Sequence, residues 1–433
     1  MLDNETMGVL GLVVLLILMM LRMPVGFAMA LVGFVGVALV KGPGAAIGVL
    51  KSVPHSTVAS YGMSVVPMFI FMGELAFHGG MTTTLYAGAY RIIGRLRGGL
   101  SMATIAASGV FSAISGSSVA SAAAMGKVAI PDMRKYGYDG ALSAASVCAG
   151  GSLGNVIPPS IIAVIYGILT EQSIGKILVA LVVPGIILMI LYMITAYLVA
   201  LCRPGWAPRG KRHNAREKAL GIVSVSPILF IFVLVIGGIF FGIFTVTEAA
   251  AVGTFIVFLY GLFTRNLTWK GFVKCLLGAS ITSAQTFVVL IGAMTINYFF
   301  ALVRLPMILA DFVGGIGAAP VVVFLCIMAA YFVLGACMDS MSVLTLTVPI
   351  IFPVVINLGF DPIWFGVMMV VFIEEALITP PVGMVLFVAK TMVEDVRMER
   401  LYWAVAPYVV AICIFQALLL FFPGLSLWLL QSM

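Results

Sequence analysis

A cluster of hydroxyl-bearing and glycine residues interrupts an apolar stretch of the sequence and has the chemistry of a small polar binding site. The cluster runs from Ser112 to Ala124 and brings Ser115, Gly116, Ser117 and Ser118 together. Small residues let a chain turn at membrane depth, where irregular backbone survives only if it is buried in protein or lines a wet cavity. Because the hydroxyls are bunched at one point, the pattern predicts a turn that forms a site. Packing of small residues between membrane helices is the alternative.

A second stretch, from Gly150 to Ser160, contains the consecutive prolines Pro158 and Pro159. Proline removes a backbone donor and restricts the residue before it, so a helix must stop near Asn155 and restart at about Pro159. The carbonyl groups at such a break lack partners, and oxygen ligands of this kind suit a hard cation such as Na⁺. The break therefore predicts a cation site, with a packing kink as the alternative.

The same two features recur in the second half of the chain. Asp339 and Ser340 interrupt one apolar run, and Thr379 to Gly383 spans a second pair of prolines. A carboxylate at membrane depth costs about 2.5 to 3.5 kcal/mol on the insertion scale, so Asp339 is a candidate binding residue. Its alternative role is to cap the helix that follows.

Other acidic residues also lie beside apolar segments. Thr245 and Glu248 have the spacing of a capping box, so Glu248 is expected to start a helix. Glu374 and Glu375 precede the second proline pair. They are candidates for pairing with a basic group or for tuning a cation site that they do not themselves form.

The composition requires these motifs to be held by membrane-spanning helices. Of the 433 residues, 63% are hydrophobic and 9% are charged, and the mean hydropathy is +1.21, whereas soluble domains carry about 25% charged residues. Several apolar runs reach the roughly 20 residues that span a bilayer, such as Ile177 to Cys202, Ile222 to Phe244 and Leu401 to Phe422. The chain is therefore expected to be an all-α polytopic membrane protein without a soluble catalytic domain.

An offset of 222 residues relates the two halves of the chain. It aligns Ile157-Pro158-Pro159 with Thr379-Pro380-Pro381, Pro131 with Pro353, and Ser117 with Asp339. This agreement predicts two repeats, residues 1–202 and 222–433, joined by a basic linker at residues 203–221. Each repeat is expected to hold a re-entrant helical hairpin and a broken helix, at about 99–133 and 150–170 in the first repeat and about 319–357 and 362–390 in the second.

The distribution of charge sets the expected orientation in the membrane. The stretch from Arg203 to Lys218 contains six Lys or Arg residues against one Glu, which places the linker in the cytoplasm by the positive-inside rule. If each hairpin enters and leaves on one side, each repeat has about five transmembrane helices, an odd number, so the second repeat is inverted and the N-terminus is periplasmic. Lys41, Lys51 and Arg304 do not follow the rule.

The sequence argues against several other functions. It contains no G-x-x-x-x-G-K-[ST], G-x-S-x-G or H-E-x-x-H motif, so neither P-loop ATP hydrolysis nor a membrane enzyme is expected. The six cysteines and three histidines are scattered, so no transition-metal site and no cofactor are expected. The basic residues lie in short loops, where they are typical of topology signals and not of nucleic-acid binding. A channel is a further alternative, but two non-identical half-sites in one chain argue against it.

Five motifs spread over nearly the whole chain carry a family resemblance: RMPVGFA at 22–28, the stretch from Pro67 to Glu74, FTVTEAA at 244–250, GSLGNVIPPS at 151–160 and ITPPVG at 378–383. With these motifs the chain resembles the DctM/SiaM-like large membrane subunit of tripartite ATP-independent periplasmic (TRAP) transporters. Val246 stands where that family often has proline, and it touches none of the candidate sites.

The resemblance implies an elevator-type carrier of the bacterial inner membrane that takes up a small acidic solute, of the sialic acid or C4-dicarboxylate type, together with Na⁺ as the coupling ion. It implies two partners, a small TRAP membrane subunit and a soluble periplasmic substrate-binding protein. A stand-alone inverted-repeat dicarboxylate or anion carrier that needs no binding protein is the alternative.

The resemblance also implies binding residues at the matching positions. One Na⁺ is expected among Ser115, Ser117, Gly154, Ile157 and Pro159. A second is expected around Asp339, Thr379, Pro381 and Gly383. The solute is expected to contact Ser118, Ser160, Asp339 and Ser340.

Overall fold

The computed structural model describes residues 3–211, 213–315, 317, 319–380 and 382–433, which fold into α-helices with short connections and, over these ranges, no β-strand. Short 3₁₀ helices occur at Tyr61–Ser64, Ser152–Gly154 and Trp428–Ser432. The α-helices are α1 (Asn4–Met20), α2 (Val25–Lys41), α3 (Pro43–Val58), α4 (Val65–His78), α5 (Met81–Ile93), α6 (Gly99–Ser115), α7 (Ser118–Lys135), α8 (Gly140–Gly151), α9 (Ile161–Leu169), α10 (Ile174–Cys202), α11 (Ala215–Phe240), α12 (Val246–Phe263), α13 (Trp269–Leu302), α14 (Leu305–Gly315), α15 (Pro320–Cys337), α16 (Ser340–Asn357), α17 (Pro362–Leu377), α18 (Met384–Lys390), α19 (Met398–Phe421) and α20 (Gly424–Leu427).

Six of the described helices are long and apolar enough to cross a membrane, namely α10, α11, α12, α13, α16 and α19. A seventh span results if α3 and the segment Tyr61–His78, which are bent by 56° relative to each other, are counted as one. Helices of this length satisfy their own backbone hydrogen bonds, as a lipid environment requires. The expected all-α polytopic membrane fold is confirmed.

Helix boundaries recur at the offset of 222 residues that the prolines suggested. Helices α7 and α16 both have 18 residues, and they begin at Ser118 and Ser340. The turns that follow them contain glycines in the left-handed region, Gly137 at φ +78° and Gly359 at φ +84°. The residues that cap the next helices, Asp139 for α8 and Asp361 for α17, are again 222 positions apart. Equivalent positions in the two halves therefore begin and end helices by the same local chemistry.

A helix pair that joins the two halves occurs twice, at equivalent positions. Helix α2 packs on α13, and their counterparts at the same offset, α12 and α4, also pack on each other. Glycines allow the close approach of α2 and α13, because a Cβ atom on Gly33 would lie 2.7 Å from the carbonyl oxygen of Thr295. Small residues at such crossings are the usual device for helix packing in membranes.

Several elements differ from the sequence expectation. Helices α5 and α14 were not anticipated, and α3 forms a separate helix before α4. The linker expected at 203–221 is partly helical, because α11 begins at Ala215. A capping box explains this early start, since Asn214 and Glu217 exchange side-chain-to-backbone hydrogen bonds of 2.8 Å. The capping box expected at Thr245 and Glu248 is confirmed at the start of α12.

The broken helices lie at the centre of the molecule. All residues of α8 from Ala141 to Gly151 and all residues of α17 from Trp364 to Leu377 are buried. A helix that is apolar all round and buried on every side is shielded from lipid by its neighbours. The break that follows α8 is enclosed by protein, since residues 152–160 are all buried, and irregular backbone is tolerated there. The break that follows α17 is more open, because Pro380 and Val382 are exposed.

Candidate functional site

The tip of the first hairpin is a two-residue turn between α6 and α7. Gly116 adopts φ +58°, and a Cβ atom at this position would lie 3.0 Å from the carbonyl oxygen of Pro159. The Ser117 hydroxyl caps α7 by accepting a hydrogen bond from the Ala120 backbone nitrogen at 3.4 Å. Behind the turn, the hydroxyl oxygens of Ser115 and Ser121 lie 2.5 Å apart across the hairpin. Only a glycine permits both the left-handed turn and the contact with the proline break.

The first break packs directly on this tip. After α8 and the 3₁₀ turn Ser152–Gly154, helical structure resumes at Ile161, where the Ser160 hydroxyl accepts a hydrogen bond from the Ala163 backbone nitrogen at 3.2 Å. A Cβ atom on Gly154 would lie 2.5 Å from the Ser118 nitrogen. The Ile157 side chain packs toward Gly109 and Gly185, so only its backbone carbonyl is available to a ligand.

The tip of the second hairpin is organised by Asp339. Its Oδ2 atom accepts hydrogen bonds from the backbone nitrogens of Met341 at 3.1 Å and Ser342 at 3.2 Å, and its Oδ1 atom accepts one from the Ser342 hydroxyl. Asp339 thus caps α16 as Ser117 caps α7. The capping role weighed from the sequence is present in the structure, and a cation-binding role stays a prediction.

The second break separates α17 from α18. The Thr379 hydroxyl donates a 2.7 Å hydrogen bond to the carbonyl oxygen of Glu375. The backbone carbonyl of Thr379 is therefore the oxygen that this residue can offer to a ligand in the loop. Gly383 adopts φ +55°, and a Cβ atom there would lie 3.0 Å from that Thr379 carbonyl oxygen. Pro381, one of the predicted cation ligands, lies outside the described residues.

A cavity of about 600 Å³ connects the two hairpin tips. Of the predicted residues, it is lined by Ser115, Ser117, Ser118, Asp339 and Ser340. The other described candidates, Gly154, Ile157, Pro159, Ser160, Thr379 and Gly383, lie outside its lining. The structure therefore brings the two tips to one space, which the first break reaches through Asn155.

Four helices begin at this cavity. Its lining includes the first residue of α7, α9, α16 and α18, namely Ser118, Ile161, Ser340 and Met384. The N-terminal end of a helix carries unpaired backbone N–H groups and a partial positive charge. Their convergence makes this cavity suited to an anionic group.

The opposite wall of the cavity comes from α4 and α13, which sequence reasoning did not connect with the site. Helix α4 contributes Glu74 and Phe77, and α13 contributes Gln285 and Thr286. A polar residue within an apolar helix is the only local signal that such positions give.

Lys127 was also missed, although it lines the cavity from α7, where its nitrogen lies 5.4 Å from the centre of the Phe77 ring. None of the ion pairs found among the described residues includes Lys127. It is thus a cation that faces the cavity without a carboxylate partner in that part of the chain.

Residues 12–425 match the family model described as the DctM component of the tripartite ATP-independent periplasmic transporter. The chain belongs to this family. It is 34% identical over 372 residues to the C4-dicarboxylate TRAP transporter large permease protein DctM of Pseudomonas aeruginosa, with 86% of each chain covered. It is 32% identical over 411 residues to the sialic acid TRAP transporter large permease protein SiaM of Vibrio cholerae, with 94% of each covered. It is 33% identical over 364 residues to the isethionate TRAP transporter permease protein DctMQ of Oleidesulfovibrio alaskensis, covering 84% of this chain and 57% of that protein.

Two solved structures share the fold of this TRAP permease at low sequence identity. The YdaH transporter of Alcanivorax borkumensis superimposes with a TM-score of 0.62 at 15% identity, covering 89% of each chain. Neisseria gonorrhoeae MtrF superimposes with a TM-score of 0.58 at 14% identity, covering 88% of this chain and 84% of that one. Their likeness supports the transporter fold alone.

Proposed function

We propose that this TRAP permease catalyses sodium-coupled uptake of an acidic organic solute across the bacterial inner membrane. A soluble periplasmic binding protein delivers the solute, and a small membrane subunit works with the chain. The observation that carries this proposal is the cavity between the two hairpin tips, with four helix N-termini at its wall. The three related permeases support the solute class, because their names specify C4-dicarboxylates, sialic acid and isethionate, all of which are organic acids.

The backbone breaks are the proposed sodium sites. Na⁺ prefers oxygen ligands, and unwound carbonyls in transporters supply them. The close contact of Gly116 with Pro159 and of Gly154 with Ser118 supports a first site made jointly by tip and break. The second site uses Asp339, Thr379 and Gly383 together with Pro381. A cation at either place pulls a hairpin tip and a broken helix toward each other.

The solute occupies the cavity with its carboxylate at the helix N-termini. Ser118 and Ser340 line this space from the two tips. Ser160 acts indirectly by capping α9, since its hydroxyl accepts a hydrogen bond from the Ala163 nitrogen. Fixed backbone donors and partial positive charges replace the water around the carboxylate, so the solute is held without a buried arginine.

The cavity opens toward the cytoplasm in this conformation. The cavity extends along α7 from the tip as far as Lys127, toward the basic end of that helix at Arg134 and Lys135. The second hairpin contributes only its tip to the cavity lining. Basic ends of membrane helices are cytoplasmic by the positive-inside rule, which also leaves the N-terminus periplasmic. In the transport step, the hairpins and broken helices slide as an elevator past the wall formed by α4 and α13.

Sodium coupling supplies enough free energy for concentrative uptake. Two Na⁺ ions with a monoanion move one net charge, worth about 2.3 kcal/mol per 100 mV. Each tenfold Na⁺ gradient adds about 1.4 kcal/mol. Together roughly 5 kcal/mol would sustain a gradient of several thousandfold.

Reconstitution in liposomes tests the proposal. The chain and its small membrane subunit are incorporated together, and uptake of labelled succinate and N-acetylneuraminate is measured with and without a Na⁺ gradient and the binding protein. Uptake should require both. Sodium-driven uptake that persists without the binding protein would favour the stand-alone carrier, and uptake that ignores both conditions would overturn the proposal.

A further inference from the structure

A second cavity, of about 610 Å³, lies where the C-terminal end of α10 meets the N-terminal end of α19. Arginine and tryptophan dominate its lining, with Arg203, Trp206, Arg397, Arg400 and Trp403 among the lining residues. The Arg203 guanidinium lies 4.2 Å from the centre of the Trp206 ring, and that of Arg400 lies 5.7 Å from it. Neither the sequence motifs nor the transport site accounts for this cluster, which we call the arginine–tryptophan pocket.

The charges of the pocket are only partly compensated. Asp395 lines the pocket and is bound by Arg134 at 2.6 Å. Arg400 is bound by Asp139 at 2.5 Å. Arg203 and Arg397 take part in none of the ion pairs among the described residues. The lining itself holds three arginines and two carboxylates, Asp395 and Glu399. The two ion-pair partners from outside the lining, Arg134 and Asp139, cancel each other, which leaves one positive charge for an external anion.

Two exposed apolar stripes run from this pocket along membrane-spanning helices. On α19 the stripe is formed by Trp403, Val410, Ile414 and Phe421, and on α10 by Ile186, Ile190, Ile194 and Leu198. Spacings of four and seven residues keep each stripe on one face of its helix. Trp403, with 75% of its surface exposed, stands at the junction between stripe and pocket, as tryptophan does at membrane interfaces.

We propose that the arginine–tryptophan pocket binds the phosphate of an anionic glycerophospholipid from the cytoplasmic leaflet, such as phosphatidylglycerol. Arg203 and Arg397 hold the phosphate, since planar guanidinium groups match its geometry. The acyl chains lie along the stripes of α10 and α19, which a free phosphate ion would leave uncovered. Basic pockets between membrane helices at the cytoplasmic side are suited to such headgroups. The leaflet assignment rests on the proposed orientation, but the pocket itself does not depend on the transport function.

Native mass spectrometry tests this proposal on the full chain released from nanodiscs of equimolar phosphatidylglycerol and phosphatidylcholine. The wild-type chain should retain phosphatidylglycerol preferentially. Each arginine near an anionic lipid contributes about 1 kcal/mol, a factor of about five, so R203Q/R397Q should lower this preference roughly 25-fold. R203K/R397K should be intermediate, because lysine keeps the charge but not the bidentate geometry.

The control variant R209Q/R216Q removes two exposed arginines from the same linker region, outside the pocket lining. It should retain phosphatidylglycerol as the wild type does. An equal loss in this control, or equal retention of phosphatidylcholine by the wild type, would overturn the proposal. Displacement of the lipid by inorganic phosphate at millimolar concentration would identify the pocket as a site for a free anion instead. Thermal unfolding of each variant checks its folding. If R203Q/R397Q does not fold, the comparison of R203K/R397K with the wild type still tests the proposal.

Discussion

The side-chain amide of Asn155 joins the first hairpin tip to the helix that precedes the second break. Its nitrogen donates to the Ser118 hydroxyl at 2.9 Å and to the Glu374 Oε1 atom at 2.7 Å. Glu374 is completely buried, and its Oε2 atom has no hydrogen-bond partner among the described residues. Asn155 and Glu374 are 219 residues apart in the chain. One side chain therefore connects elements of the candidate site from the two halves of the chain.

Asn155→Leu should weaken the response of transport to Na⁺. The substitution removes the amide donor from a buried carboxyl group, which costs about 1.5 to 3 kcal/mol, and it breaks the bridge between the first tip and Glu374. We expect the Na⁺ concentration for half-maximal uptake to rise by roughly tenfold or more. The measurement is Na⁺-dependent uptake into proteoliposomes.

Ser112→Ala is the matched control for Asn155→Leu. The Ser112 hydroxyl is buried and donates only to the Ser108 carbonyl oxygen, within α6. Its loss should leave the Na⁺ dependence unchanged. If both variants shift that dependence equally, the bridge has no special part in coupling.

The sequence allowed the positions of the breaks and tips to be predicted because proline and glycine act on the backbone locally. The pair Pro158-Pro159 interrupts a regular helix because neither residue can donate a backbone hydrogen bond, and Gly116 marks a left-handed turn. Their recurrence at one offset was enough to place both halves of the candidate site. The all-α membrane fold followed from the composition and from the lengths of the apolar runs.

The partners across the site were not predictable in the same way. The bond between Asn155 and Glu374 depends on how two distant breaks pack, and no local pattern encodes it. Likewise, nothing near Lys127 in the sequence indicates that it faces the cavity wall formed by α4 and α13. Such contacts arise from tertiary packing, which periodicity and charge counting do not resolve.

Asp339→Asn separates the two roles weighed for Asp339. Asparagine caps helices about as well as aspartate, so its side-chain oxygen can still accept from the Met341 and Ser342 nitrogens. If the carboxylate also binds a cation, Na⁺-driven uptake should fall sharply while the thermal stability of the protein stays close to that of the wild type. Unchanged uptake would leave Asp339 with capping alone.

Ser117→Ala probes the equivalent cap in the first half. It removes the acceptor for the Ala120 nitrogen, which should cost about 1 kcal/mol of stability, and it removes a proposed Na⁺ ligand. Uptake at limiting Na⁺ should fall more than uptake at saturating Na⁺. A uniform reduction at all Na⁺ concentrations would point to the cap and exclude a ligand role.

Gly116→Ala should disturb the contact between the first tip and the first break. The substitution is strained at φ +58° by about 1 to 2 kcal/mol, and its Cβ would press on the Pro159 carbonyl at 3.0 Å. We expect uptake to fall and the Na⁺ requirement to rise.

Gly137→Ala is the control that distinguishes strain from contact. Gly137 has a similar left-handed conformation, φ +78°, but a Cβ there would meet only Pro208 at an ordinary 3.8 Å. It should lower stability by a comparable amount and leave the Na⁺ requirement as in the wild type. An equal rise in that requirement for both variants would assign the effect to loss of stability.

Lys127→Gln should weaken binding of the acidic solute with little effect on the maximal rate. Lys127 is the cation that lines the cavity without a carboxylate partner among the described residues, and side chains on a helix lean toward its N-terminus, here toward the tip at Ser118. Loss of one charge-assisted hydrogen bond, about 1.5 kcal/mol, should raise the KM for solute roughly tenfold. Lys127→Arg should keep the KM near its wild-type value, and Lys176→Gln, on α10 outside the cavity lining, should leave it unchanged. A lower maximal rate at constant KM would instead indicate that Lys127 acts in the sliding of α7 past α4.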